Sequence, residues 1–98
     1  MGSLDEPLLD AEPLARTLTV RAWREGDRMR PLGLGGSKSL QDLFSDRKVP
    51  RSLRRSLPVV VSGEDIAWVA GVAVSEDFRL TERTSATVRL RARVVSQG

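Results

Sequence analysis

Residues 59–74 read VVVSGEDIAWVAGVAV, and this stretch decides the fold class. Residues 59–61 are a β-branched run, which favours a short strand. The next four residues, Ser62-Gly63-Glu64-Asp65, are typical of a turn. From Ile66 to Val74 every second residue is apolar, which predicts a longer strand with one buried face. The two strands are expected to form a hairpin at the centre of a β-rich domain.

The same alternation recurs on both sides of this hairpin. Residues 17–23 predict a strand whose inner side chains are Leu18, Val20 and Ala22. Residues 28–32 predict a short strand that ends at Pro31. Residues 86–94 predict a half-buried strand whose inner side chains are Val88, Leu90, Ala92 and Val94. The outer side chains of that strand are Thr87, Arg89, Arg91 and Arg93.

Two short helices are predicted between the strands. In residues 37–48, Leu40, Leu43 and Phe44 share one helical face, and Ser37 or Ser39 can cap the start. Pro50 can open a second helix that runs to residue 57. In that helix Leu53 and Leu57 share one predicted face, and Arg51, Arg54 and Arg55 form a stripe on another. The order of elements predicts an α+β domain that is mostly β-structure.

Composition excludes several classes of site. The chain has 98 residues, room for one small domain, and contains neither cysteine nor histidine. Disulfides, thiolate zinc sites, cysteine nucleophiles, Ser-His-Asp triads and histidine-based zinc sites are therefore excluded. The apolar runs are far shorter than the roughly 20 residues of a membrane span, and no secretory signal opens the chain. A cytoplasmic protein is expected.

The net charge of +3 is unevenly distributed. Residues 1–15 carry −4 and are predicted to be an acidic flexible tail, in which residues 1–3 have the form of a cloning remnant. Residues 16–58 carry +7 and residues 59–98 are neutral; a single domain is predicted over residues 16–95. A locally basic surface attracts phosphate. The alternative is a solvated face without a ligand.

Two basic motifs lie in the positive segment. Gly33-x-Gly35-Gly36-Ser37-Lys38 lacks the spacing of a nucleotide-binding P-loop, so that function is rejected. A weaker hypothesis is that this turn binds one phosphate at a helix start, and the alternative is a plain turn in which Ser37 caps the helix. In the second motif, residues 47–55, five of nine residues are basic, which favours phosphate binding over an unused helix face.

Aromatic and acidic residues offer two further candidate sites. Trp23 and Trp68 could stack on bases, but their strand patterns favour positions in the core or at its edge. The carboxylates of Asp27, Asp42 and Asp46 are expected to compensate neighbouring arginines rather than to hold a metal ion.

Several motifs together resemble one family. Residues 24–33 (REGDRMRPLG), residues 36–38 (GSK) and residues 48–51 (KVPR) closely resemble the C-terminal domain of bacterial tRNA(Ile)-lysidine synthetase. Residues 68–71 (WVAG) and 78–81 (FRLT) look like it too, so that the resemblance covers about residues 18–90. The sequence departs from the family at Ser39, where a second basic residue is frequent, and this weakens the case for a phosphate at that turn.

The resemblance implies a small sandwich-like domain of short strands with two short helices alongside, without catalytic residues or a cofactor of its own. Full-length members use ATP and Mg²⁺ in an N-terminal domain, with a Ser-Gly-Gly-x-Asp-Ser loop, to ligate lysine to an anticodon cytidine of tRNA(Ile). That loop is absent from this sequence. The implied partners are tRNA(Ile), at its acceptor stem, and the enzyme's own N-terminal catalytic domain.

The resemblance and the basic segment together select nine candidate RNA-binding residues. They are Arg24, Arg28, Arg30, Ser37, Lys38, Lys48, Arg51, Arg54 and Arg55. Replacing the three arginines of the second helix is expected to leave the core intact. Lys38 is expected at a helix start, where its charge opposes the macrodipole. The alternative function is a docking scaffold without RNA contact, in which the outer arginines of residues 86–94 or the second helix face acids of another domain.

Overall fold

The computed structural model describes residues 6–92, in which short strands predominate over short helices. The elements in chain order are β1 (Leu8–Asp10), β2 (Leu18–Arg21), β3 (Arg28–Met29), β4 (Lys38–Ser39), α1 (Leu40–Asp46), α2 (Arg51–Arg54), β5 (Val59–Ser62), β6 (Asp65–Val69), β7 (Ala73–Val74), a 3-10 turn (Glu76–Phe78) and β8 (Thr87–Arg89). This arrangement confirms the predicted β-rich α+β class. No helix within residues 6–92 is long and apolar enough to cross a membrane.

A four-stranded antiparallel sheet in the order β2-β5-β6-β7 forms the centre of the fold. The predicted hairpin of β5 and β6 is confirmed, and every residue of β5 is buried. Val59 and Val61 pack into one apolar cluster, whereas Val60 packs with Trp68 into another. Both faces of the sheet are therefore covered, which explains the continuous run of three valines.

Different elements cover the two faces of the sheet. Helix α1 and the β3–β4 hairpin supply the first cover: Leu40, Leu43, Phe44 and Met29 pack against β5 and β6. The β1–β8 pair lies at the second face, where Leu9 packs with Ala67 and Phe78. This layering places α1 and the basic α2 segment on the same side of the sheet.

The prediction of one long strand over residues 66–74 is wrong. Strand β6 ends at Val69, and the Val72 N–H donates to the Val69 carbonyl at 2.9 Å. Gly71 turns the chain with a φ of 74°, a conformation that favours glycine. Strand β7 then returns antiparallel to β6, with Trp68 opposite Val74. The alternation continued through the turn by coincidence, because the residues on both sides of it are apolar.

The predicted inner face of residues 17–23 is also wrong in part. Leu18 is half-buried beside Trp68, but Val20 is 65% exposed. Trp23, which belongs to the predicted outer face, packs against the other apolar cluster. Strand β2 lies at the edge of the sheet, and the apolar cover that reaches Leu18 does not include Val20.

The acidic segment is not a flexible tail throughout. Leu8–Asp10 forms β1, which pairs with β8 in a register that puts Leu9 opposite Val88, and Leu9 is fully buried. A three-residue strand between two prolines is too short to show an alternating pattern, so composition dominated the prediction. The proposed cloning remnant, residues 1–3, and the predicted domain end at residue 95 lie outside the described residues.

The alternation predicted for residues 86–94 is confirmed up to residue 92. Val88, Leu90 and Ala92 are half-buried, whereas Thr87, Arg89 and Arg91 are exposed. Regular strand structure covers only Thr87–Arg89. The predicted positions of Arg93 and Val94 lie outside the described residues.

Both helices are shorter than predicted. Helix α1 begins after Ser39, whose Oγ accepts a hydrogen bond from the Asp42 N–H at 3.1 Å, and its predicted apolar face is buried. Helix α2 has only four residues and contains no buried side chain. Leu53 is 50% exposed, and only Leu57, beyond the helix, packs against the core. The predicted shared face of Leu53 and Leu57 is therefore wrong, because a single turn ends before Leu57.

Candidate nucleic-acid interface

A partly buried ion pair fixes the turn that leads into the basic surface. The Arg21 guanidinium donates to both carboxylate oxygens of Asp27, at 2.8 and 3.0 Å. The Arg24 N–H donates to the same carboxylate at 2.7 Å, and the Asp27 N–H donates back to the Arg24 carbonyl at 3.0 Å. Charge-assisted, bidentate bonds of this kind hold a fixed geometry. The turn therefore sets the positions of Trp23 and Arg24.

Asp27 is ionised more easily than an ordinary aspartate. Burial alone would raise its pKa, but the hydrogen bonds from Arg21 and the Arg24 N–H, together with the charges of both arginines, outweigh burial. The pKa of Asp27 therefore lies below its ordinary value. The same hydrogen bond raises the pKa of Arg21, which stays protonated.

This pair predicts a stability loss in acid. A depressed folded-state pKa contributes stability that is complete above the unfolded value of about 3.9 and is lost as pH falls through the lower folded value. We expect Asp27→Asn to lower the free energy of unfolding by about 1–3 kcal/mol at neutral pH, with the difference shrinking below about pH 4. Urea unfolding between acid and neutral pH measures it. Glu82→Gln, at an exposed loop position, is the control, and an equal pH dependence for the two variants would contradict the assignment.

An aromatic contact anchors the basic helix to the core. The rings of Trp23 and Phe44 meet at a centroid distance of 5.5 Å and an angle of 80°. The Arg54 guanidinium lies 5.5 Å from the centroid of Phe44, and Arg54 Nε donates to the Val49 carbonyl at 3.0 Å. Arg54 therefore has a structural role as well as a charge. This contradicts the expectation that all three arginines can be removed without cost to the core.

These residues enclose an open cleft of about 270 Å³. It is lined by Trp23, Glu25, Gln41, Arg51, Arg54 and Arg55. We call it the basic cleft. Guanidinium groups bind phosphate with two parallel N–H donors, and an aromatic wall adds a surface for stacking. The arrangement is suited to binding a phosphorylated, planar ligand.

The other candidate residues are divided by their ion pairs. Arg30 bridges Glu76 at 3.3 Å and Asp77 at 2.7 Å, and Lys38 Nζ pairs with the Asp46 carboxylate. Within residues 6–92, the candidate bases without an acidic partner at ion-pair distance are Arg24, Arg28, Lys48, Arg51, Arg54 and Arg55. The charges of these six bases are therefore available to bind an anion.

The glycine-rich turn differs from its predicted geometry. Lys38 lies in β4 opposite Met29 and directly precedes the N-cap Ser39, but its ammonium pairs with Asp46 at the C-terminal end of α1, so its charge does not lie at the helix start. The macrodipole expectation for Lys38 is therefore wrong. Ser37 does not cap the helix; its Oγ accepts a hydrogen bond from Arg28 at 3.2 Å.

A second groove places Arg28, Arg30 and Ser37 among acids. Glu64, Asp65 and Asp77 line the same groove. Its mixed charge makes it less suited to phosphate than the basic cleft. Arg24 and Lys48 are exposed and line neither cavity. The structure therefore brings together only Arg51, Arg54 and Arg55 of the nine candidates in a cleft with an aromatic wall.

Three members of the basic cleft are absent from the nine candidate RNA-binding residues. Trp23 was assigned to the core edge, which its contact with Phe44 confirms, but it is also the aromatic wall. Neither Glu25 nor Gln41 belongs to a recognisable sequence motif. Gln41 could have been identified from helical spacing, since it precedes Phe44 by three residues and therefore lies beside it on the helix surface. The expected compensation by an arginine is confirmed for Asp27, which pairs with Arg21, whereas Asp46 pairs with Lys38 and Asp42 forms no ion pair with a base of residues 6–92. Residues 6–92 contain no cluster of potential metal ligands.

Comparison with known proteins gives one consistent match. Residues 18–92 match the family model described as the TilS substrate C-terminal domain. A tRNA(Ile)-lysidine synthase of Geobacter sulfurreducens is 44% identical over 93 residues, covering 93% of this chain and 20% of that protein. One of Symbiobacterium thermophilum is 44% identical over 94 residues, with 96% and 20% coverage. The chain thus spans about a fifth of the length of these relatives.

The structure comparison agrees with the sequence comparison. A solved structure described as a crystal structure of the TILS C-terminal domain superposes with a TM-score of 0.73 at 34% identity. The match covers 89% of this chain and 67% of that one. The likeness therefore extends over most of this chain.

Proposed function

The chain belongs to the family of TilS substrate C-terminal domains, and from this premise we propose that it is the tRNA-binding module of a tRNA(Ile)-lysidine synthase. Its partners are tRNA(Ile), held at the acceptor stem, and the catalytic part of the same enzyme, acting in the cytoplasm. The ligation of lysine to cytidine, with its ATP and Mg²⁺, belongs to that catalytic part. This domain holds the substrate and performs no chemical step.

The observation that carries the proposal is the basic cleft. Arg51, Arg54 and Arg55 converge there, and none of them forms an ion pair with an acid of residues 6–92. The surrounding segment, residues 16–58, carries +7. Like charges that lie close together repel one another and do not stabilise the fold. They do favour the binding of a polyanion, because its condensed counterions are released when its phosphates are neutralised.

The chemistry fits an A-form RNA helix. Phosphate and sugar contacts from arginine fix the position of the protein, and the wide minor groove offers 2′-hydroxyls and a few base edges. The acceptor stem is such a helix. Binding is therefore governed by shape and charge more than by sequence.

Salt dependence tests this function. Two to four phosphate contacts predict that the logarithm of the association constant falls with the logarithm of salt concentration at a slope of about −1.8 to −3.6. Between 50 and 200 mM salt the affinity for tRNA(Ile) should fall by about 10- to 150-fold. Fluorescence anisotropy with labelled tRNA measures it. An affinity that barely changes over this range would rule out phosphate contacts.

Interdomain docking is the second candidate function, and the glycine-rich loop favours it. Leu32 and Leu34 on that loop are 50% and 51% exposed. The strand previously considered for docking is less suited, since Arg89 and Arg91 already pair with Glu6 at 3.9 and 3.1 Å. Parallel titrations with tRNA and with the separately produced remainder of the synthase distinguish the two functions. Binding to the remainder alone would favour docking.

A further inference from the structure

We propose that the basic cleft receives one unpaired nucleotide of the bound RNA, with its base against Trp23 and its phosphate on Arg51 and Arg55. This inference rests on the proposed function and makes it specific. It assigns to the domain a site for a single-stranded residue beside the helical contacts, which phosphate binding alone does not require.

The aromatic wall is built and held in place. Trp23 is partly exposed in the cleft, while its perpendicular contact with Phe44 fixes the plane of the indole. Phe44 itself is fully buried and cannot turn away. A preorganised ring loses little side-chain entropy when a base stacks on it.

The cationic wall of the cleft consists of Arg51, Arg54 and Arg55. Arg54 is held in place by the Val49 carbonyl and the ring of Phe44. No acid of residues 6–92 lies at ion-pair distance from it. Arg51 and Arg55 are exposed on either side of it in sequence. The cleft is therefore lined by one fixed guanidinium group, two exposed arginines and an indole.

Two further side chains match the edge of a base. Gln41 offers both an amide donor and an amide acceptor, and Glu25 offers a carboxylate acceptor. A phosphate site alone has no use for a carboxylate, which would repel the anion. A base with exocyclic amino groups gives Glu25 a partner. The carboxylate and the arginines thus select a ligand that has a donor edge and an anionic end.

The size of the cleft suits a ligand of about one nucleotide. Its volume of about 270 Å³ lies just below the roughly 300 Å³ at which ordinary small-molecule sites begin. This volume favours an unpaired nucleotide, at a stem end or in a bulge, over a base pair.

The test compares three hairpin RNAs with the same stem. One is blunt, one ends in a 3′ adenosine overhang, and one ends in an abasic overhang that carries the same phosphate. We expect the adenosine overhang to bind about 5- to 10-fold more tightly than the abasic one, in the lower part of the range for stacking on an aromatic side chain. The emission of Trp23 should be quenched at the same time, since Trp68 is 3% exposed and shielded from the ligand.

Three variants separate stacking from folding. Trp23→Leu should bring the ratio of affinities for the adenosine and abasic overhangs close to 1, whereas Trp23→Phe should keep most of that ratio. Gln41 is exposed on α1, so Gln41→Ala should reduce discrimination among overhanging bases without changing the thermal melt. Melts of all variants accompany the titrations, and Gln41→Ala remains informative if Trp23→Leu is unstable.

The outcomes are distinguishable. Equal binding of all three hairpins would overturn the nucleotide site and leave the tRNA-binding function standing. No binding of any hairpin would overturn the function itself. Free adenosine monophosphate is the remaining arm: if it displaces the overhang hairpin at comparable concentration, the cleft takes free nucleotides rather than a residue of the RNA, and the proposal is wrong.

Discussion

The double variant Arg51→Ala, Arg55→Ala is expected to bind tRNA about 10- to 100-fold more weakly than the parent chain near 0.1 M salt. Each lost phosphate contact removes about 0.9 from the slope of the salt dependence, and near this salt concentration that corresponds to roughly tenfold in affinity. Both side chains are exposed, and neither α2 nor its flanks buries them. The thermal melt should therefore stay within about 1–2 °C, since exposed substitutions rarely change stability by more than about 0.5 kcal/mol.

Arg79→Ala, Arg83→Ala is the matched control. These arginines are also exposed and form no ion pair with an acid of residues 6–92, so the net charge falls by the same amount on another surface. We expect at most a few-fold loss of affinity. Equal losses in the two double variants would show that net charge, not the basic cleft, governs binding. Arg54 is kept in both variants, because its contacts with Val49 and Phe44 support the fold.

Leu9→Ala is expected to destabilise the domain by about 2–5 kcal/mol, the range for removing a buried leucine side chain. Leu9 is fully buried and packs with Ala67 and Phe78, and the rigid sheet cannot collapse into the space. A small domain has only about 5–15 kcal/mol of net stability, so the loss is a large part of the total. Urea unfolding monitored by the tryptophans measures it.

The neighbouring residue provides the control. Leu8→Ala removes the same atoms from the same strand, but Leu8 is 40% exposed. We expect a loss of about 1 kcal/mol or less. Similar losses for the two variants would mean that β1 is not packed as described and that the acidic segment behaves as the tail its composition predicts.

Strands with a long alternating pattern could be predicted from the sequence, whereas the tight turn between β6 and β7 could not. The pattern around Val88 and Leu90 was correct because several consecutive positions report the same face. In residues 66–74 the apolar alternation continues through the turn at Gly71, so the alternation alone does not distinguish a turn from a strand. Gly71 was the available signal, since glycine inside a strand pattern marks a turn or bulge.

The candidate site was predictable in composition but not in geometry. The arginines of the second helix were identified because they are close in sequence. The partners that neutralise Arg30 are Glu76 and Asp77, which are near it only in the folded chain. Trp23 joins Arg54 for the same reason, through Phe44. Pairings between distant segments follow from tertiary packing, which local patterns do not encode.

The pairing of β1 with β8 also constrains the order in which the domain folds. Leu9 pairs with Val88, and almost the whole described chain separates the two residues in sequence. Strands β5, β6 and β7, in contrast, pair with their neighbours through short turns. Closing a long loop costs more entropy than closing a short one, so local hairpins form earlier. During synthesis β8 and Leu90, which packs against the cluster of Leu9, Ala67 and Phe78, emerge after the other residues of that cluster. A nascent chain paused before that point exposes an apolar sheet face to chaperones, and completion of β8 ends that exposure.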